Sequence, residues 1–136
     1  MTNQEHLEIL RKGVEAWNRW RAENPVIPNL QEADLRGANL QEAILWLANL
    51  QEANLRVASL QEANLRVANL QEANLWGANL QGADLGGATF DENTMLPDGT
   101  KWTPGTDMGR FTDREHPDFW RSDDPKSPAY RGGQLE

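Results

Sequence analysis

A leucine returns every five residues through the middle of this chain, from Leu30, Leu35 and Leu40 to Leu85 without a gap, with Phe90 in the next place. From Leu35 onward an alanine stands two residues before each, Ala33 to Ala88. The residue between the two is Asn or Asp except at Ile44, Ser59 and Thr89.

A helix cannot use this period. Ala, Leu, Gln and Glu favour helices, but at about 100° per residue a five-residue step rotates the leucines by about 140° and scatters them round the cylinder. A straight strand fails for another reason. Ala and Leu, two apart, share one face, yet five is odd, so the next pair would face the other way. The conflict ends if the chain turns a corner once in every five residues. Ala and Leu then always point inward, and successive turns of the coil stack through backbone hydrogen bonds at about 4.7–4.9 Å.

The units Ala33-Asp34-Leu35-Arg36-Gly37 and Ala53-Asn54-Leu55-Arg56-Val57 resemble the A-(D/N)-L-x-x unit of the pentapeptide-repeat family. The resemblance covers residues 28–92. It implies an all-β solenoid, a right-handed quadrilateral β-helix with four pentapeptides to the coil and a little over three coils. The period alone does not choose four sides over three.

On four sides residue i lies over residue i+20. Leucine columns fill the inside, with narrow alanine columns between them, and each buried leucine contributes about 1.5–3 kcal/mol. Phe90 is placed to plug the last coil. The Asn and Asp side chains are expected to hydrogen-bond nearby backbone at the turns.

Outside, Glu32, Glu52 and Glu72 form one acidic column, and Glu42 with Glu62 forms another on the opposite side. Stacked like charges are mildly destabilising. Their plain role is a solvated face; a functional one is imitation of the phosphate rail of DNA. The two remaining sides stack Arg36, Arg56 and Trp76, and Trp46, Arg66 and Gly86, so that each allows an Arg–Trp cation–π contact of about 0.5–1 kcal/mol. Beside the second, Leu47 lies under Val67 and Ile44 replaces Asn. Ile44, Trp46, Leu47, Arg66 and Val67 thus mark a candidate interaction surface, to be covered by the chain's own helix or tail, by a partner or by a second copy, with an incidental patch of no role as the remaining alternative.

The ends supply caps. Thr2-Asn3-Gln4-Glu5 resembles a capping box, and Leu7, Leu10, Val14 and Trp17 at helical spacing predict one amphipathic helix, weakened at Gly13 and ended before Pro25. Residues 1–27 therefore read as a capping helix and linker over the first coil, with docking into a partner's groove as the alternative. Residues 12–21 resemble the leader of many bacterial, particularly cyanobacterial, pentapeptide-repeat proteins. After Phe90 the pattern stops. A turn signal at Leu96-Pro97-Asp98-Gly99 predicts a hairpin or loop cap over 93–120. The stretch 111–120 resembles tails of the family, and 121–136, polar and rich in Pro and Gly, reads as a flexible tail.

Thirteen Lys and Arg against 21 Asp and Glu leave a net charge of −8, which disfavours direct binding to nucleic acid or anionic membranes. With no cysteine there is neither disulfide nor thiol catalysis. His6 and His116 stand in opposite appendages without ligand-spaced partners, and no phosphate-binding or metal motif is present, so no enzyme activity, metal or cofactor is expected. No apolar run reaches membrane-spanning length, and Met1 to His6 lack signal-peptide features, so the cytoplasm is the expected compartment. The function expected is a non-enzymatic structural or protein-interaction module with an unknown protein partner, itself a monomer or weak homodimer. The alternative, drawn from the family resemblance, is a DNA-mimicking binder of a type II topoisomerase (gyrase).

Overall fold

The computed structural model describes residues 1–120; the tail expected at 121–136 lies outside the described residues. Its repeating unit is a tight turn. In each side the alanine N–H returns to the leucine carbonyl three residues earlier, as in Ala33 to Leu30 at 3.0 Å and Ala53 to Leu50 at 3.0 Å. The residue before that alanine has positive φ: 65° at Glu32, 62° at Glu52, 73° at Gly77. A positive φ at the third of four residues defines a type II turn and favours glycine or asparagine there. Val57 at 51° and Val67 at 59° hold it against their branched Cβ. The expected Asn bonds are present. Asn49 Oδ1 accepts from Gln51 N–H at 3.0 Å, and Asn69, Asn74 and Asn79 repeat the contact.

Backbone bridges run in parallel between residues twenty apart, Asn29 to Asn49 to Asn69 and Asp34 to Asn54 to Asn74. Twenty residues are four pentapeptides, so the coil has four sides. The stacked sides from Leu30 to Leu65 are each held by three backbone bonds, as in Leu30 N–H to Asn49 O, Glu32 N–H to Gln51 O, and Asn49 N–H to Pro28 O, at 2.8 to 2.9 Å. Every repeat leucine from Leu30 to Leu80 is at most 3% exposed, so the narrow interior is filled by leucine and alanine along its length.

The single helix expected at the N-terminus is two. α1 spans Gln4–Arg11 and α2 spans Val14–Glu23. They part because Gly13 adopts φ 115° and ψ 161°, outside the helical region and open to glycine alone. The N-cap is Asn3 rather than Thr2: Asn3 Oδ1 accepts from His6 N–H, while Thr2 Oγ1 donates to Gln31 O. Both helices lie against the open edge of the first coil, whose backbone has no coil beneath it. Their side chains supply the missing partners. Asn18 accepts from Ile44 N–H at 2.8 Å and donates to Glu42 O at 3.0 Å. The indole N–H of Trp17, fully buried, donates to Ile44 O at 2.9 Å. Arg11 donates to Asp34 O, and His6 Nδ1 accepts from Asn29 N–H.

At the other end the stacking continues beyond Phe90, where the sequence pattern stops. Thr94-Met95-Leu96 takes the place of Ala-Asn-Leu with one residue inserted, so Asn74 bridges Met95. Buried Thr94 fits an alanine position because its hydroxyl donates to Leu70 O at 2.9 Å. Residues 94–102 then fold back as a hairpin, with Met95 antiparallel to Lys101 and Trp102 stacked on half-buried Phe90. The short helix α3, Gly109–Thr112, brings Phe111 and Trp120 together edge to face, and Thr112 O accepts from Gly82 N–H on the last coil. Arg110 pairs with Asp98, whose side chain is only 6% exposed.

Candidate functional site

Four outward positions of the coil separate into two acidic and two mixed columns. In the first acidic column Glu52 lies between Glu32 and Glu72. The neighbouring Glu72 carboxylate, by accepting a hydrogen bond from protonated Glu52 and by its negative charge, pushes the Glu52 carboxyl above the usual carboxylate range. The Met1 amine lies 3.1 Å from the Glu32 carboxylate in an exposed pair. In the second, Glu62 lies against Gly82 in the next coil, where a Cβ would come within 3.0 Å of its carboxylate. Among the described residues no group of three or more His, Cys, Asp or Glu is arranged to hold a metal ion.

The two mixed columns differ. On one, the Arg56 guanidinium sits 4.8 Å from the ring centroid of half-buried Trp76, the expected cation–π contact. The hairpin covers the same ring, with Gly99 close against it. Arg36 is held at the foot of the column by Asp34, at 2.8 Å, and its hydrogen bonds hold the Asp34 carboxyl down to about 2.

On the other, Arg66 turns from Trp46 and pairs with Asp84 at 3.4 Å. Trp46 is left 45% exposed, and Val67 47%. The linker after α2 adds to them: Val26 is 45% and Ile27 63% exposed. Apart from Met1, these four are the exposed large hydrophobic side chains among the described residues, and they gather on one side. Between linker and coil lies a groove of about 520 Å³. Val26 and Ile27 form one wall, and Ile44, Trp46 and Leu47 the other. Arg21 of α2 lies at its base and donates to Ile44 O and Trp46 O at 2.8 and 2.9 Å. Burial pulls its pKa below the ordinary arginine value.

All five residues of the candidate surface therefore lie on this side, with Ile44, Trp46 and Leu47 in the groove and Val67 and Arg66 one coil further along. The linker and Arg21 went unmarked in the sequence. The signal for Val26 and Ile27 was an apolar pair between two prolines, with no polar residue to keep it in water.

The described chain has no helix long and apolar enough to cross a membrane. Residues 29–66 and 68–95 match eight copies of the pentapeptide repeat. No curated protein matches the chain. Among solved structures it is similar to the pentapeptide repeat protein Rfr23 of the cyanobacterium Cyanothece, 48% identical over 51% of this chain and 44% of that one, with a TM-score of 0.36. It is also similar to HetL of Nostoc, a pentapeptide repeat protein involved in regulation of heterocyst differentiation, 30% identical over 55% and 52% of the two chains, with a TM-score of 0.30. The chain spans about half the length of these two structures. A pentapeptide repeat protein of the Arabidopsis thaliana thylakoid lumen is 25% identical over 60% of this chain and 71% of that one, with a TM-score of 0.32.

Proposed function

The chain belongs to the pentapeptide-repeat family, a fold of right-handed β-helical solenoids, and from that premise we propose that it is a non-enzymatic protein-interaction module. Its working surface is the side carrying Ile44, Trp46, Leu47, Arg66 and Val67, joined by Val26 and Ile27. The observation that carries this reading is the gathering of four exposed large apolar side chains on one side of a solenoid whose interior is already filled. An apolar patch confined in this way marks a contact with another molecule.

Leu47→Glu with Val67→Glu tests it. Both positions have the backbone turn that Glu42 and Glu62 already occupy, so the double variant keeps the fold. Affinity capture from the native cell is expected to lose its specific partner with the variant. An unchanged set of captured proteins would remove the surface from consideration.

The DNA-mimic reading draws only on the acidic columns. Three stacked carboxylates span about 10 Å at strand spacing, little of a duplex rail. A gyrase supercoiling assay with excess protein is its test, and unaltered supercoiling ends it.

A further inference from the structure

We infer that the groove between the linker and the first coil takes a short extended peptide segment of a partner protein, one that carries apolar side chains beside a carboxylate. The inference rests on the interaction-module reading and names its ligand. The apolar part follows from the walls, Val26 and Ile27 facing Trp46 and Leu47. The cleft, about 520 Å³ and open along one side, has room for several side chains of a ligand that lies in it.

The carboxylate follows from Arg21. Its guanidinium has five N–H donors, and the described bonds to Ile44 O and Trp46 O are made to neutral carbonyls. Among the described residues no carboxylate pairs with it, whereas Arg19, Arg36, Arg66 and Arg110 each have one. The half-buried cation at the base of an apolar groove is thus held in place but not neutralised. An incoming carboxylate would meet it with the planar, two-point geometry that arginine offers.

The extended form follows from the shape of the apolar strip. Beyond Leu47 it runs up the stack to Val67, one coil away, where Arg66 is held to Asp84 only by an exposed pair. A linear segment covers groove and strip together. A small compact ligand would leave Val67 bare.

The test is selection of ten-residue peptides from a random display library on the full-length protein, followed by affinities of synthetic copies by fluorescence anisotropy. Selected peptides are expected to carry two or more apolar residues with an Asp or Glu within three positions. Changing that Asp to Asn should weaken binding at least tenfold, with the loss shrinking as salt rises. Leu47→Glu puts a negative charge into the groove that Arg21 also lines, and should weaken binding at least as much. Selected peptides without an acid, or insensitive to Asp→Asn, would overturn the assignment of Arg21. No selected peptide, or peptides that bind Leu47→Glu unchanged, would overturn the groove as a peptide site while leaving the wider surface to be judged by the capture experiment. Concentration-dependent dimers in sedimentation velocity, lost in Leu47→Glu, would assign the groove to a second copy and overturn the peptide ligand.

Discussion

The side of Trp76 and the side of Trp46 lie half a turn apart in their coils, and each stacks an Arg next to a Trp. One is closed and the other open. Arg56 lies over Trp76 and the hairpin near Gly99 covers the ring, so cation, ring and cap satisfy one another. Arg66 is instead drawn away by Asp84, and nothing described stacks on Trp46. An Asp in the Asn position of the neighbouring coil holds the arginine on one side, and a hairpin covers the ring on the other. In a repeat this regular, the use of a side is decided by its few departures from the repeat.

Beneath the surface the two sides should be equivalent, and the largest expected effect tests that. Leu55→Ala under the closed side and Leu65→Ala under the open one each remove a fully buried leucine. Each should cost about 2–5 kcal/mol in chemical denaturation. Losses differing by more than about the spread of such values would show that the sides differ inside as well as out.

A smaller effect separates the surfaces. Trp76→Ala loses a covered ring and a cation–π contact and should cost about 1–2 kcal/mol. Trp46→Ala should stay within about 0.5 kcal/mol of the parent, as exposed substitutions do. Equal losses at the two positions would erase the contrast.

The smallest concerns the acidic column between them. The Glu52 carboxyl has a raised pKa in the folded protein, chiefly through its hydrogen bond with Glu72 and that residue's charge. A raised carboxyl pKa means the folded state holds its proton longer than the unfolded chain. Its stabilising contribution is full below the ordinary glutamate value, about 4.3, and is lost as pH rises through the folded value. Glu72→Gln should therefore raise the melting temperature slightly at pH 7, and the gain should vanish below about pH 4. A gain that persists in acid would place its origin elsewhere.

Much of this architecture is legible in the repeat. The inward Ala–Leu pairs and the Asn bonds follow from period and chemistry. The four-sided coil was implied by family resemblance and is borne out by bridges between residues twenty apart. The positive φ at the corner was written in Gly37, Gly77, Gly82 and Gly87, all in one repeat position, but the Glu and Val residues there obscured it. Three features left no periodic trace. Gly13 weakens a helix on propensity alone, and only its φ shows a break. Thr94 enters an alanine column through one hydrogen bond, so the inserted residue conceals the match. Asn18 and Arg21 look like solvent-facing helix residues until the open backbone edge they serve is placed beneath them. The candidate surface was legible where the coil carries it and invisible where the linker does, because no spacing rule joins residues 26–27 to residue 46.

That edge has a consequence for how such chains grow and shrink. Trp17, Asn18 and Arg21 grip the carbonyls and amides at Glu42, Ile44 and Trp46, groups that every coil presents in the same arrangement whatever its side chains. The helical pair is in effect a portable lid. Duplication or deletion of a whole twenty-residue lap would leave its seat unaltered, so length can drift by full laps while the lid stays in place; the groove along its rim persists only where the coil beneath keeps the side chains of Ile44, Trp46 and Leu47.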